Sequence, residues 1–96
     1  FDPEPGFKTV RFKEVRGRYV CLEATSSHPG DAYTTCAELE LLGADGRALP
    51  RDDWKIVFAD SEEVSGEDGS AANVLDGRAD TFWHTEWDTV KIKHPH

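Results

Sequence analysis

Cys36-Ala37-Glu38-Leu39-Glu40-Leu41-Leu42 alternates small or apolar side chains with glutamates. A period of two puts Ala37, Leu39 and Leu41 on one inward face of a strand. The Glu-Leu-Glu-Leu content also suits a helix, but seven residues are short for one and both flanks are turn-like, so a strand is predicted. The same alternation recurs outward from this stretch. Residues 18–25 place Val20 and Leu22 on one face, and residues 7–13 (Phe-Lys-Thr-Val-Arg-Phe-Lys) alternate apolar with charged. Residues 54–59 (Trp-Lys-Ile-Val-Phe-Ala) are a short apolar run fit for a strand. Turn chemistry separates them: Ser26, Ser27, Pro29 and Gly30 before the first stretch, and Gly43, Gly46 and Pro50 in the linker-like residues 43–53 after it. Residues 60–68 read as a solvated acidic face and 71–75 as a helical turn. Residues 76–81 read as a loop before the aromatic cluster Phe82, Trp83 and Trp87, with a further strand at Val90 and Ile92. The predicted class is all-β and antiparallel.

The chain has 96 residues, enough for one domain at most. Folding a chain this short buries only roughly 60–65% of its unfolded surface. Its core can supply about 3–5 kcal/mol of net stability. With 11 basic against 19 acidic residues the net charge is -8. Phosphate recognition runs on Lys and Arg, so nucleic acid and anionic membranes are poor partners. Neutral sugars and hard cations suit this surface better. No apolar run approaches the ~18 residues that span a bilayer, so no membrane insertion is expected. The chain begins at Phe1 and contains no Met, and it is read as a segment of a longer polypeptide. Cys21 and Cys36 permit one disulfide, or stand as a pair of small strand residues.

The string Asp76-Gly77-Arg78-Ala79-Asp80-Thr81-Phe82-Trp83-His84-Thr85-Glu86-Trp87 follows Asp60-Ser61-Glu62-Glu63 and Ala71-Ala72-Asn73. Together these resemble the first third of a discoidin-like domain, also called the coagulation factor type C domain, in its family 32 carbohydrate-binding module branch. Lys8-Thr9-Val10-Arg11-Phe12, Gly17-Arg18-Tyr19-Val20 and Ala37-Glu38-Leu39-Glu40-Leu41 resemble the last third of the same domain. The order is inverted and the family's middle is absent. Residues 1–42 thus resemble the C-terminal part, 43–53 form a linker, and 54–96 resemble the N-terminal part. Either the chain straddles a boundary between tandem domains, or it is a permuted version with the family's adjacent termini joined. The resemblance implies a jelly-roll-type β-sandwich of the galactose-binding kind, or a partial version of it. Without the middle strands, unpaired edges would favour association with a second chain.

The resemblance also implies two sites. Glu38, Asp76 and Thr81 stand at the family's calcium positions. Calcium takes six to eight oxygens, and a loop turning at Gly77 can supply side-chain oxygens and carbonyls. From the loop chemistry alone, residues 76–81 are equally an Asp-Gly turn capped by a Thr hydroxyl. Arg78 replaces the family's usual Asp or Asn at a position that gives its carbonyl. His84 and Trp87 stand at the family's sugar contacts, with Glu67 assisting from the preceding loop. An aromatic plate takes a sugar's apolar ring face while fixed polar groups take its hydroxyls. An Arg from the absent middle normally completes that pocket. Trp83 is placed in the core. His94-x-His96 with His84 offers transition-metal donors, although Pro95-His96 matches the family's Pro-His.

No nucleophile turn is present, and the acidic residues lie in loops without an apolar setting to raise a pKa. The expected function is therefore a non-catalytic carbohydrate-binding module for galactose-type glycans, accessory to an exported glycoside hydrolase and secreted with it. The alternative is a structural or adhesion spacer, or a domain-boundary fragment, without sugar affinity.

Overall fold

The structure, a computed structural model, describes residues 6–27, 32–88 and 95–96. Its centre is a short antiparallel pair, β1 (Thr35–Cys36) with β2 (Trp83–His84), in the register Thr35 to His84 and Cys36 to Trp83. Thr35 Oγ1 donates to the Trp83 carbonyl at 2.9 Å, and the Thr85 N–H donates to the Thr34 carbonyl at 3.0 Å. The other side of β2 is also occupied. His84 donates its N–H to the Gly69 carbonyl at 3.1 Å and accepts the Glu63 N–H at 2.8 Å. Glu63 and Gly69 form an antiparallel bridge of their own. β2 therefore lies between β1 and the 63–69 hairpin, with its backbone groups paired on both sides.

The expected helical turn forms as a 3-10 helix, Ala71–Leu75. Ala71 and Val74 face inward with Trp83 as the buried core, and Cys36, Leu39, Ala59 and Leu75 pack around them. Trp83 is in the core as expected, and its Nε1–H donates to the Ser61 carbonyl at 2.8 Å. The Asn73 amide donates to the carbonyls of Asp68 and Phe82, tying the 3-10 helix to the entrance of β2.

The structure is mostly β in character, and the 3-10 helix is the one helical segment among the described residues. No helix spans 36–45. Most of the expected strands are nevertheless missing. Residues 7–13 and 54–59 form no ladder with any described segment, and 18–25 is tied at one point, where Ala24 exchanges both backbone hydrogen bonds with His96. Trp54 is half-buried, but most of their large side chains stay exposed, Phe12 at 70% and Phe58 at 82%. Alternation supplies an apolar face, but a strand exists only where a second strand takes its N–H and C=O groups. The 36–42 strand survives only at its ends, with Cys36 in β1 and Leu42 bridged to Ala48. Between them the Leu39 N–H donates to the Val74 carbonyl at 2.9 Å. The strand expected at Val90 and Ile92 lies outside the described residues.

Residues 43–53 carry a hairpin: Gly43 N–H to Arg47 carbonyl at 2.9 Å and Leu49 N–H to Leu41 carbonyl at 2.8 Å. Cys21 and Cys36 are both free thiols. Cys21 sits in the exposed stretch, whereas burial raises the Cys36 thiol pKa. Residues 60–68 are not uniformly solvated, because Ser61 and Glu63 are buried.

Candidate functional site

β2 carries His84 at its end, and the chain turns so that Trp87 lies close by. The hairpin beside β2 presents Glu67, and the segment leading into β1 presents Tyr33. These four side chains line one open pocket of about 330 Å3. The structure thus brings together the three residues read from the sequence, Glu67, His84 and Trp87, and adds Tyr33. No local pattern marks Tyr33, which arrives only through the β1–β2 pairing.

Each wall is held by specific bonds. The Trp87 Nε1–H donates to Glu67 Oε1 at 2.9 Å. His84 Nδ1 lies 2.6 Å from the Thr85 carbonyl. A carbonyl only accepts, so Nδ1 carries the proton and Nε2 is the acceptor of the neutral ring. The Tyr33 and His84 rings lie 5.6 Å apart at a 50° tilt, within the range of favourable aromatic contact. Trp87 is 40% exposed, so its ring remains available to a ligand.

Behind the pocket lies a carboxylate that the sequence reading left on a solvated face. Glu63 is fully buried. Its Oε2 accepts the N–H groups of Ser65 and Gly66, at 2.9 and 2.7 Å. Its Oε1 accepts those of Trp87 and Asp88, both at 2.8 Å. The Trp87 N–H is the largest cause that lowers its pKa to about 2 from an ordinary 4.5, against desolvation acting upward. The N–H groups of Gly66, Asp88 and Ser65 act in the same downward direction. A depressed carboxyl pKa contributes stability that is fully present above about pH 4.5 and is lost as pH falls towards 2. Glu63→Gln is therefore expected to flatten that part of the acid-unfolding profile, measured by circular dichroism. An unchanged profile between pH 4.5 and 2 would show that Glu63 does not carry it.

The second set of predicted residues also converges. Glu38 Oε1 and Asp76 Oδ1 both accept the Arg78 N–H, at 3.0 and 2.8 Å. The Thr81 hydroxyl donates to Asp76 Oδ2 at 2.5 Å and lies 3.3 Å from the Arg78 carbonyl. Gly77, at φ +76°, makes the turn that closes this loop, a conformation that favours glycine. The Thr81 hydroxyl, first, and then the Arg78 N–H lower the Asp76 pKa. Arg51 reaches in from the other side, donating from Nη1 to Glu38 Oε2 at 2.9 Å and to the carbonyls of Leu39 and Val74. No cluster of three or more His, Cys, Asp or Glu side chains suited to a metal occurs among the described residues. Glu38 and Asp76 bring two carboxylates together here, so hydroxyl and carbonyl oxygens would have to complete any coordination shell. By type these are all hard oxygen donors, which fit calcium and not a transition metal.

His96 does not join His84 as a metal ligand. Its Nε2 faces the Ala32 carbonyl at 2.9 Å and its Nδ1 faces Asp60 at 3.0 Å. His94 lies outside the described residues.

No family model matches the chain. Over 89 residues it is 52% identical to a sialidase of Micromonospora viridifaciens, a match covering 92% of this chain. The chain spans 13% of the length of that relative. It therefore resembles one stretch of a glycoside hydrolase over most of its own length. Among the described residues no helix is long and apolar enough to cross a membrane.

Proposed function

We propose that this chain is a non-catalytic carbohydrate-binding unit of the discoidin-like, jelly-roll kind that takes galactose-type sugars. Convergence of Tyr33, Glu67, His84 and Trp87 on one open pocket is the observation that carries the reading. The Trp87 ring supplies an apolar plate for a pyranose face. His84 Nε2 accepts from a hydroxyl, and Glu67 offers its second carboxylate oxygen to another. A neutral sugar suits this acidic chain of net charge -8 better than an anionic one. The resemblance to a small part of a sialidase supports an accessory role on an exported glycoside hydrolase. Such a unit works by targeting, because tethering an enzyme to a glycan raises its effective substrate concentration.

A monosaccharide has about twelve heavy atoms, and ~0.3 kcal/mol per atom gives about 4 kcal/mol, a dissociation constant near millimolar. Galactose titrated into the labelled chain should shift the resonances of His84 and Trp87. Absence of shifts at tens of millimolar, well above that constant, would overturn the reading. It would favour the spacer or boundary-fragment alternative, to which the exposed Phe7, Phe12, Val57 and Phe58 lend support through association with further protein.

Calcium is proposed as a structural ion held by Glu38, Asp76 and Thr81. When bound it would supply fixed positive charge between two carboxylates and brace the 76–81 loop ahead of β2. An ion that binds only the folded chain stabilises it by ~2.7 kcal/mol at a hundred times its dissociation constant. For this length that is about ten degrees or more in melting temperature. Asp76→Ala should remove the rise. Superimposable melting curves in calcium and in chelator would refute the ion's role.

A further inference from the structure

Glu63 touches no pocket space, yet its four acceptor bonds tie together the two loops that carry the pocket's walls. Ser65 and Gly66 immediately precede Glu67, and Trp87 with Asp88 closes the opposite side. Gly66 makes the second contact. A Cβ built there would meet Trp87 Cη2 at 2.5 Å and Cζ2 at 2.9 Å, closer than a real Cβ approaches a ring. The six-membered ring of the indole therefore packs close against bare backbone at Gly66, while its Nε1–H reaches Glu67. We infer that Glu63 and Gly66 form a clamp that positions Trp87, so that sugar affinity depends on two residues that do not touch the sugar. Glu63 fixes the backbone of Trp87 relative to the 65–67 turn, and Gly66 fixes the plane of its ring. A carboxylate is needed at 63, since only a group with acceptors on both oxygens can take two N–H pairs. An amide must turn its NH2 towards one of those pairs and leave it unsatisfied.

This inference deepens the sugar-binding reading, and the test separates the two. Galactose affinity is measured by NMR for the wild-type chain, Glu63→Gln and Gly66→Ala, together with the Trp87 indole N–H resonance in each sugar-free protein. The expected result is a loss of roughly tenfold or more in affinity for each variant. The Trp87 indole resonance should move in both while that of Trp83, in the core, stays in place. The double variant should lose little more than either single one, because both act through the same ring. Should Glu63→Gln fail to fold, Gly66→Ala carries the test, since the three atoms nearest its added methyl all belong to the Trp87 ring. Wild-type affinity in a folded variant with an unmoved Trp87 resonance overturns the clamp. Failure of the wild type to bind overturns the sugar reading, and the sugar-free indole resonances still decide whether the clamp exists.

Discussion

Trp83→Ala is expected to leave the chain unfolded at 25 °C. Among the described residues the core cluster is Ala71, Val74 and Trp83, and Trp83 is by far the largest of the three. Truncating a buried Trp to Ala typically costs about 3–5 kcal/mol through lost transfer energy and the cavity left behind. A chain of 96 residues has about that much to lose. The variant also strips the Ser61 carbonyl of its donor and loosens the segment that Thr35 Oγ1 and Glu63 hold against β2. Loss of near-ultraviolet dichroism and collapse of amide dispersion would register the effect. Trp83→Phe is the comparison: it keeps an aromatic body and drops one hydrogen bond, worth about 1 kcal/mol. A cooperative melt for Trp83→Ala within a few degrees of the wild type would show that the fold is held elsewhere.

Trp87→Ala should weaken galactose binding by roughly 5- to 150-fold while leaving the fold in place. Trp87 is partly exposed and lies outside the core, so its truncation removes little buried area. Its ring is the largest apolar surface in a pocket otherwise lined by Tyr33, Glu67 and His84. With only about 4 kcal/mol of binding free energy in total, losing a stacked ring worth ~1–3 kcal/mol weakens a millimolar constant by roughly 5- to 150-fold. The control is the dispersion of the unliganded spectrum, which should match the wild type outside residues 63–67 and 84–88. Unchanged affinity in Trp87→Ala would remove the aromatic plate from the site and with it the proposed mode of recognition.

Three of the four residues that line the pocket, Glu67, His84 and Trp87, were named through the family resemblance carried by the string around His84. The assignment of Trp83 inward and Trp87 outward agrees with their exposures of 7% and 40%. The Ala71–Leu75 turn was readable from its own residues. The strands were not. Alternation at 7–13, 18–25 and 54–59 describes a face; 18–25 meets a partner at Ala24, which exchanges both backbone hydrogen bonds with His96, and no ladder extends from that pair among the described residues.

Sequence alone thus determined which residue types this chain can offer a ligand: indole, imidazole and carboxylate on one side, oxygen donors around Asp76 on the other. Tertiary structure alone decided which of them meet. Tyr33 reaches His84 because Thr35 pairs with His84, a contact between distant positions that no window of sequence contains. Glu63 reads as one more exposed acid in an acidic run, yet it is buried. An ionised carboxylate leaves water only where enough donors replace its hydration. Those donors are the backbone N–H groups of two loops that come together only when β2 pairs with the 63–69 hairpin.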